Sequence, residues 1–135
     1  MSKVLTTLYF LILMFCFISK SFGEWKLVAG NFNKGIGLYV DFERINIKNN
    51  YTYFWYLMDF RDKKYMVPEK RQKGFHSFVI FSQGDCDLFR FKDVQFNVYK
   101  SRMGEDYLLG FKPQNKWKYP TPGSNYESVL KSVCK

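Results

Sequence analysis

The chain has 135 residues, of which 47% are hydrophobic and 21% aromatic, and its 21 basic and 12 acidic side chains give a net charge of +9. A chain of this length builds one hydrophobic core and leaves no room for a second large domain. The basic balance favours anionic partners such as acidic proteins, polyanionic glycans and lipid head groups. The sequence has no nucleic-acid recognition motif, so we do not expect nucleic acid as a partner.

The first 23 residues have the pattern of a secretory signal peptide. Lys3 is followed by an apolar run from Leu8 to Ile18 and then by the small-x-small site Ser21-Phe22-Gly23. The run is shorter than the roughly twenty residues that a membrane-spanning helix needs, which argues against an uncleaved anchor. We therefore expect residues 1–23 to be removed and residues 24–135 to form one exported domain, in the periplasm, on the outer cell surface or outside the cell.

Export would leave the domain with two cysteines, Cys86 and Cys134, because Cys16 lies in the predicted signal. Two cysteines in an exported chain are expected to oxidise to a disulfide, and only one pairing exists. The bridge would close a loop of about fifty residues, which the chain-entropy model values at about 4 kcal/mol. We therefore predict that this bridge is a main source of stability.

The exported part consists of short aromatic and β-branched runs separated by Gly, Asn and Pro, which is typical of an antiparallel sheet. Tyr51 to Phe60 is the strongest predicted strand, and because both of its faces are apolar it should lie centrally, covered on both sides. A turn at Lys48-Asn49-Asn50 should precede it, since asparagine tolerates positive φ. The other predicted strand segments are Trp25–Ala29, Leu38–Phe42, Arg44–Ile47, Phe75–Ser82, Cys86–Tyr99 and Tyr107–Phe111.

Two irregularities are predicted in the second half of the sheet. Gln83-Gly84-Asp85 should form the turn that follows the Phe75–Ser82 strand. In the next segment, a one-residue bulge near Lys92-Asp93 would bring five apolar residues to the same face. Those residues are Phe89, Phe91, Val94, Phe96 and Val98.

The end of the chain has the pattern of a capped amphipathic helix that follows a loop at Pro113–Gly123. Ser124 and Glu127 have the spacing of a capping box. Behind them, four apolar residues recur at i, i+3, i+4 and i+7: Tyr126, Val129, Leu130 and Val133. A helix of about ten residues is marginal alone. We therefore predict that it packs on the sheet and that the bridge through Cys134 holds it there.

Short motifs follow one another in a recognisable order along the exported part: Glu24-Trp25-Lys26-Leu27-Val28, Leu38-Tyr39-Val40-Asp41, Phe54-Trp55-Tyr56-Leu57-Met58-Asp59-Phe60, Asp85-Cys86, Pro122-Gly123-Ser124 and Val133-Cys134. This ordered set resembles the surface-adhesin protein E family of Gram-negative bacteria. The resemblance implies an α+β fold, a twisted antiparallel sheet of about six strands with one C-terminal helix held by a disulfide. It also implies a surface protein that binds host matrix and plasma proteins such as laminin, vitronectin and plasminogen.

The sequence contains no recognisable catalytic, metal-binding or cofactor-binding motif. His76 is the single histidine and is predicted to be a sheet residue rather than a base. Asp85 and Asp87 lie close together, but a metal site would need further ligands. Asp41 and Asp59 each end a strand motif, which predicts turn or pairing roles. We therefore expect a non-enzymatic domain without a cofactor or metal.

The candidate binding surface is a basic connector between two predicted strands. Long cationic side chains beside an aromatic ring suit acidic protein or glycan surfaces, although a solvated loop is the alternative interpretation. The connector residues are Arg61, Lys63, Lys64, Tyr65, Lys70, Arg71 and Lys73. The high aromatic fraction also predicts that some rings lie outside the core and form a homodimer or partner face.

Three functions from different classes are therefore open. The first is a binding domain for host or envelope macromolecules. The second is a periplasmic structural or assembly factor of the envelope, and the third is an inhibitor of an exported enzyme. Binding of matrix proteins, co-purification with an envelope partner and stoichiometric loss of enzyme activity would distinguish them.

Overall fold

The computed structural model describes residues 2–15, 23–31, 35–61 and 74–135. Helix α1 spans Ser2–Phe15, within the predicted signal peptide. Among the described residues, no helix is both long enough and apolar enough to cross a membrane. Removal of the signal after Gly23 stays a prediction.

Within the described residues, seven antiparallel strands form one sheet. They are β1 (Trp25–Asn31), β2 (Ile36–Asp41), β3 (Asn46–Lys48), β4 (Tyr51–Phe60), β5 (Ser77–Asp85), β6 (Arg90–Tyr99) and β7 (Tyr107–Phe111). The strand order is β1-β2-β4-β5-β6-β7, and the short β3 pairs with β4 beside this path. The predicted antiparallel sheet and the interior position of the Tyr51–Phe60 strand are confirmed.

Local chemistry explains the turns around β3. Asn49 and Asn50 have φ values of 52° and 64°, the left-handed pair that a two-residue hairpin turn requires. The prediction of one strand segment over Arg44–Ile47 was wrong at its start, because a 3₁₀ turn at Phe42–Arg44 separates β2 from β3. The carboxylate of Asp41 stabilises this turn by accepting the backbone N–H of Glu43, at 3.1 Å.

The predicted turn at Gln83-Gly84-Asp85 was also wrong, since β5 continues through these residues and the chain turns at 86–89. The Asp85 carboxylate accepts the backbone N–H of Leu88, at 3.2 Å, and so fixes the turn after the strand. Gly84 leaves room for close packing instead of forming a turn, because a Cβ there would lie 3.2 Å from side-chain carbons of both Leu130 and Phe54. The glycine therefore allows the C-terminal helix to approach the sheet.

The predicted bulge in β6 exists, but its extra residue is Val94. Phe81 pairs with Gln95 and Ser82 pairs with Asp93, so Val94 is left without a partner on β5. Val94 is 37% exposed, and its predicted place in the core was wrong. The buried position belongs to Asp93, whose carboxylate is bound by neighbouring side chains. Phe91, Phe96 and Val98 pack in or against the core as predicted, and Phe89 packs against it from the turn.

Helix α2 (Asn125–Val133) packs mainly over β1, β2 and β4 and closes the core. Ser124 caps it by accepting the backbone N–H of Glu127, at 3.2 Å, as the sequence predicts. Three residues of the predicted stripe are buried, whereas Tyr126 lies at the margin with 39% exposed. The predicted disulfide joins Cys86 to Cys134 and ties the end of α2 to the turn after β5.

Candidate binding site

The sheet face opposite α2, which we call the open face, carries a row of aromatic residues. Strand alternation places Tyr51, Tyr53, Trp55 and Leu57 of β4 on this face. Leu57 is buried, but the three aromatic residues are only half-buried. The prediction that β4 is covered on both sides therefore holds for one end of the open face and is wrong for the other.

The covered end is closed by the turn between β6 and β7. Asp59 is buried, and its carboxylate accepts hydrogen bonds from the Arg102 guanidinium and from the Met103 backbone N–H, both at 2.8 Å. Ser77 donates to the Ser101 carbonyl at 2.6 Å and accepts the Gly104 backbone N–H at 2.9 Å. These bonds hold the turn over part of the open face, and Asp59 has the pairing role that was predicted.

At the other end, an arginine lies between two indole rings. The Arg44 guanidinium carbon is 5.7 Å from the centre of the Trp25 ring and 5.6 Å from that of Trp55. Phe81 extends the group, with ring centres 4.8 Å from Trp55 and 6.0 Å from Tyr53. We call these five residues the Arg44 cluster.

The geometry of the Arg44 cluster is set by a buried acid. Asp41 is fully buried, and its carboxylate binds the Arg44 guanidinium, which is itself 46% exposed. The same carboxylate holds the 3₁₀ turn that brings Arg44 onto the open face. Since a cation over a Trp ring is attracted by the ring's electron-rich face, the arrangement is pre-organised before any partner arrives.

Two grooves meet at the Arg44 cluster. One has a volume of about 230 Å³ and extends from Arg44 and Trp55 towards Asn97 and Tyr99. The other has a volume of about 500 Å³ and extends from the same two residues along β3 to Lys48. Arg44 and Trp55 therefore lie where a ligand in either groove would contact them.

A second cationic-aromatic group lies on the same face beside the first. The Trp117 ring centre is 4.4 Å from the Arg90 guanidinium carbon, 4.8 Å from Lys92 Nζ and 5.6 Å from the Tyr51 ring centre. We call these four residues the Trp117 cluster. Lys118 exchanges backbone hydrogen bonds with Phe91 at 2.8 and 2.9 Å, and this bridge places the preceding indole over β6.

The Trp117 cluster also depends on a buried acid. Asp85 accepts a hydrogen bond from Arg90 Nε at 3.0 Å. The hydrogen bond from the Leu88 backbone N–H, together with Arg90, holds the pKa of the Asp85 carboxyl below its usual value, against the opposing effect of burial. Both clusters therefore present an arginine that a fixed carboxylate orients.

Most of the predicted basic connector lies outside the described residues. Arg61 is exposed just after β4, and its backbone N–H donates to the Gly35 carbonyl at 2.6 Å. The other six members are not part of the described chain: Lys63, Lys64, Tyr65, Lys70, Arg71 and Lys73. The connector as a binding surface stays a prediction.

The other singled-out polar residues have structural contacts. His76 lies just before β5 rather than within it, and its Nδ1 is 3.0 Å from the Lys100 carbonyl oxygen. Asp85 accepts hydrogen bonds from Arg90 and from the Leu88 backbone N–H, and Asp87 is exposed in the turn. Among the described residues, no group of three or more His, Cys, Asp or Glu side chains could hold a metal ion.

The sequence reasoning missed both clusters. Strand alternation in β4 puts Tyr53 and Trp55 on one face, but the sequence predicts a strand at Arg44 and a loop at Trp117. The missed signal is the Asp41-Phe42-Glu43-Arg44 segment, in which an aspartate three residues before an arginine caps a turn and pairs with it. The position of Trp117 depends on the tertiary bridge between the next residue, Lys118, and Phe91, which a local sequence pattern does not indicate.

Comparison with known proteins agrees with the fold. A model of the family described as surface-adhesin protein E matches residues 25–135. The chain belongs to the surface-adhesin protein E family. This confirms the resemblance found in the order of the motifs. A search of curated proteins finds no match.

Solved structures of protein E from Haemophilus influenzae are similar to this member of the surface-adhesin protein E family. One has a TM-score of 0.57 and 18% identity, over 82% of this chain and 83% of the other. A second crystal form has a TM-score of 0.54 and 17% identity, over 83% and 96%. Protein E from non-typeable H. influenzae has a TM-score of 0.53 and 16% identity, over 86% and 76%. At these identities the likeness shows the fold.

Proposed function

We propose that this protein is an exported, non-catalytic binding domain that uses its open face to bind acidic surfaces of host matrix or plasma proteins. Membership in a surface-adhesin family supports this function. The observation that carries the proposal is the Arg44 cluster, a half-exposed arginine held between two tryptophans where two grooves meet.

The composition of the open face matches that of protein-binding hot spots. Trp, Tyr and Arg are the residues most enriched where truncation costs the most binding energy. Trp25, Tyr53 and Trp55 bury part of their area in the fold and keep the rest available. Because Asp41 already fixes Arg44, little side-chain freedom would be lost on binding.

The charge pattern of the open face selects an acidic partner. Three carboxylates of the open face, Asp41, Asp59 and Asp85, are buried, and each is bound to an arginine. Arg44 and Lys48 are exposed, and Lys92 is half-exposed beside Trp117. These cations lie beside partly exposed aromatic rings, an arrangement that favours acidic surfaces and makes association sensitive to salt.

The first test measures binding of the oxidised protein to immobilised laminin, vitronectin and plasminogen over a salt series. We expect saturable binding to at least one of them that weakens as salt rises. Arg44→Gln should weaken it at least tenfold. Lys26→Gln is the matched control, because it removes the same charge from an exposed residue of β1 whose register partner, Val40, faces α2.

The outcomes of this test separate the three functions. Equal loss in Arg44→Gln and Lys26→Gln would show that net charge, and not the open face, drives binding. If the protein shows saturable binding to none of the three proteins, the adhesin function is overturned. Co-purification with an envelope protein would then favour an assembly factor, and stoichiometric loss of a lysozyme or protease activity would favour an inhibitor.

Export is tested separately by the mass of the protein recovered from the cell envelope or medium of an expressing Gram-negative host. We expect a chain that begins at Glu24. An intact N-terminus at Met1 in that fraction, or recovery only from the cytoplasm, would overturn the proposed signal peptide.

A further inference from the structure

The helix side of the sheet is covered unevenly. Helix α2 packs mainly over β1, β2 and β4. Over β5, β6 and β7 the same face carries a groove of about 630 Å³, which we call the apolar groove. Its volume lies in the range typical of small-molecule sites.

The apolar groove is built from two kinds of apolar residues. Phe78, Phe96 and Val98 belong to the sheet interior and form its floor. Leu109 and Phe111 come from the edge strand β7 and are 52% and 47% exposed. The register pairs Val98 with Leu109 and Phe96 with Phe111, so the floor continues sideways into this exposed edge.

One end of the apolar groove is cationic. Lys118 lies there with a side chain that is 53% exposed, 3.3 Å from the carboxylate of Asp93. Ser82 and Tyr56 also donate to Asp93, at 2.7 and 3.2 Å. The buried carboxylate is thus already satisfied, while an ammonium group has three donors and can take a further acceptor.

The segment next to the groove adds positive charge. Between β7 and the bridge at Phe91, residues 112–118 contain three lysines and no acidic residue. Lys112, Lys116 and Lys118 are all exposed. Among the described residues that line the groove, Asp93 is the one acid, and it is buried. An anionic group would therefore meet a positive rim at the Lys118 end.

We propose that the apolar groove binds a long-chain fatty acid, with the alkyl chain over Phe78, Phe96 and Val98 and the carboxylate on Lys118. Among the described residues, Lys118 is the one lysine that lines the groove. A single ammonium at the end of a single groove matches a ligand with one chain and one charge, whereas a bilayer phospholipid has two chains. This site is separate from the open face and does not depend on the function proposed for it.

The test titrates the delipidated, oxidised protein with palmitate and with hexadecanol, following heat or intrinsic fluorescence. We expect saturable binding at one equivalent, with palmitate at least tenfold tighter than hexadecanol. Leu109→Gln should weaken both ligands at least tenfold. Leu88→Gln is the matched control, since Leu88 is 55% exposed in the turn at 86–89 and does not line the groove.

Lys118→Met distinguishes the contribution of the Lys118 charge to binding from that of the ligand's alkyl chain. It should reduce the preference for palmitate over hexadecanol to less than threefold and leave hexadecanol binding within threefold of the parent protein. A mere loss of folding would weaken both ligands alike, and a thermal melt of each variant checks this.

Several results would overturn the proposal. One is the absence of saturable palmitate binding; another is equal affinity in Leu88→Gln and Leu109→Gln. Sedimentation with phosphatidylglycerol vesicles but not phosphatidylcholine vesicles, without binding of free palmitate, would assign the site to a membrane surface instead. A dimer that excludes palmitate and that Leu109→Gln dissociates would assign the groove to a second copy of the chain.

Discussion

The two faces of the sheet both carry aromatic residues, but they differ in how much of these residues is exposed to solvent. On the helix side, Phe54 and Tyr56 of β4 are almost fully buried beneath α2. On the open face, the alternating Tyr53 and Trp55 stay half-exposed around Arg44. Residue type is similar on both sides, so burial is decided by the element that packs on each face. This difference teaches that an aromatic strand can be core on one side and binding surface on the other.

Buried acids also act differently on the two faces. On the helix side, Asp93 accepts from Ser82 and Tyr56 inside the fold and also from the exposed Lys118. On the open face, Asp41 and Asp85 each hold an arginine that reaches towards solvent. Asp93 therefore links two interior groups to one surface lysine, whereas Asp41 and Asp85 each place an arginine beside aromatic rings of the open face. Stability and binding are therefore expected to respond to different substitutions.

Loss of the disulfide is expected to have the largest effect on the free energy of unfolding, because the disulfide fixes α2, the helix that covers only one face of the sheet. Replacing both Cys86 and Cys134 by serine should lower the free energy of unfolding by about 4 kcal/mol, measured by urea denaturation. Reduction of the parent protein should give a similar loss. If the double variant lost less than about 1 kcal/mol, packing of α2 alone would suffice and the bridge would be incidental.

The next largest effect should come from the contact beneath α2. Leu130 is 1% exposed, so Leu130→Ala leaves a cavity and should cost about 3 kcal/mol in the free energy of unfolding. Leu108→Ala is the matched control. Leu108 is 46% exposed on the edge strand, and its truncation should cost less than about 1 kcal/mol. Equal losses would contradict the view that α2 defines the core.

These contrasts also explain what the sequence could predict. Periodicity and capping signals act locally, so the Tyr51–Phe60 strand, the β7 strand and the capped helix were all predicted. The disulfide followed from the cysteine count. Gly84 was misread because glycine favours both turns and close packing, and only the position of Leu130 shows which one applies here.

The binding site was harder to predict than the fold, because its members meet only through tertiary structure. Arg44 reaches Trp25 across a 3₁₀ turn and a neighbouring strand, and Trp117 reaches Arg90 through the bridge of Lys118 to Phe91. Neither pairing leaves a periodic signal. The basic connector is conspicuous as a run of charge, whereas the cations of the two clusters come from separate segments around Arg44 and Arg90.

A tyrosine on each face should contribute differently to the loss of stability at alkaline pH. Burial, with Asp93 as the second cause, raises the pKa of Tyr56 well above its usual value. The unfolded state therefore loses this proton first, and the stability from Tyr56 is present below about pH 10 and falls as the pH rises further. Tyr56→Phe should flatten the alkaline slope of the free energy of unfolding.

Tyr99 on the open face is the matched control for Tyr56. Partial burial raises its pKa too, but it is half-exposed, so Tyr99→Phe should flatten the alkaline slope by less. Part of the slope should remain in either variant, because burial also raises the pKa of Tyr126. An equal effect of the two substitutions would show that the two faces do not differ in solvent access at these positions.

The smallest expected effect on the free energy of unfolding is at acidic pH and comes from Asp85, beneath the Trp117 cluster. The Leu88 N–H and Arg90 lower the pKa of Asp85 in the folded state, so the unfolded state binds the proton first as the pH falls. The stability that this carboxylate contributes is present above about pH 4 and is lost as the pH falls through the folded pKa. Asp85→Asn should therefore differ most from the parent at neutral pH, and the difference should shrink in acid. Asp87→Asn, an exposed neighbour in the same turn, should keep the parent's slope; if it shifted the acid limb as much as Asp85→Asn, the charge of the turn and not the Asp85–Arg90 pair would be responsible.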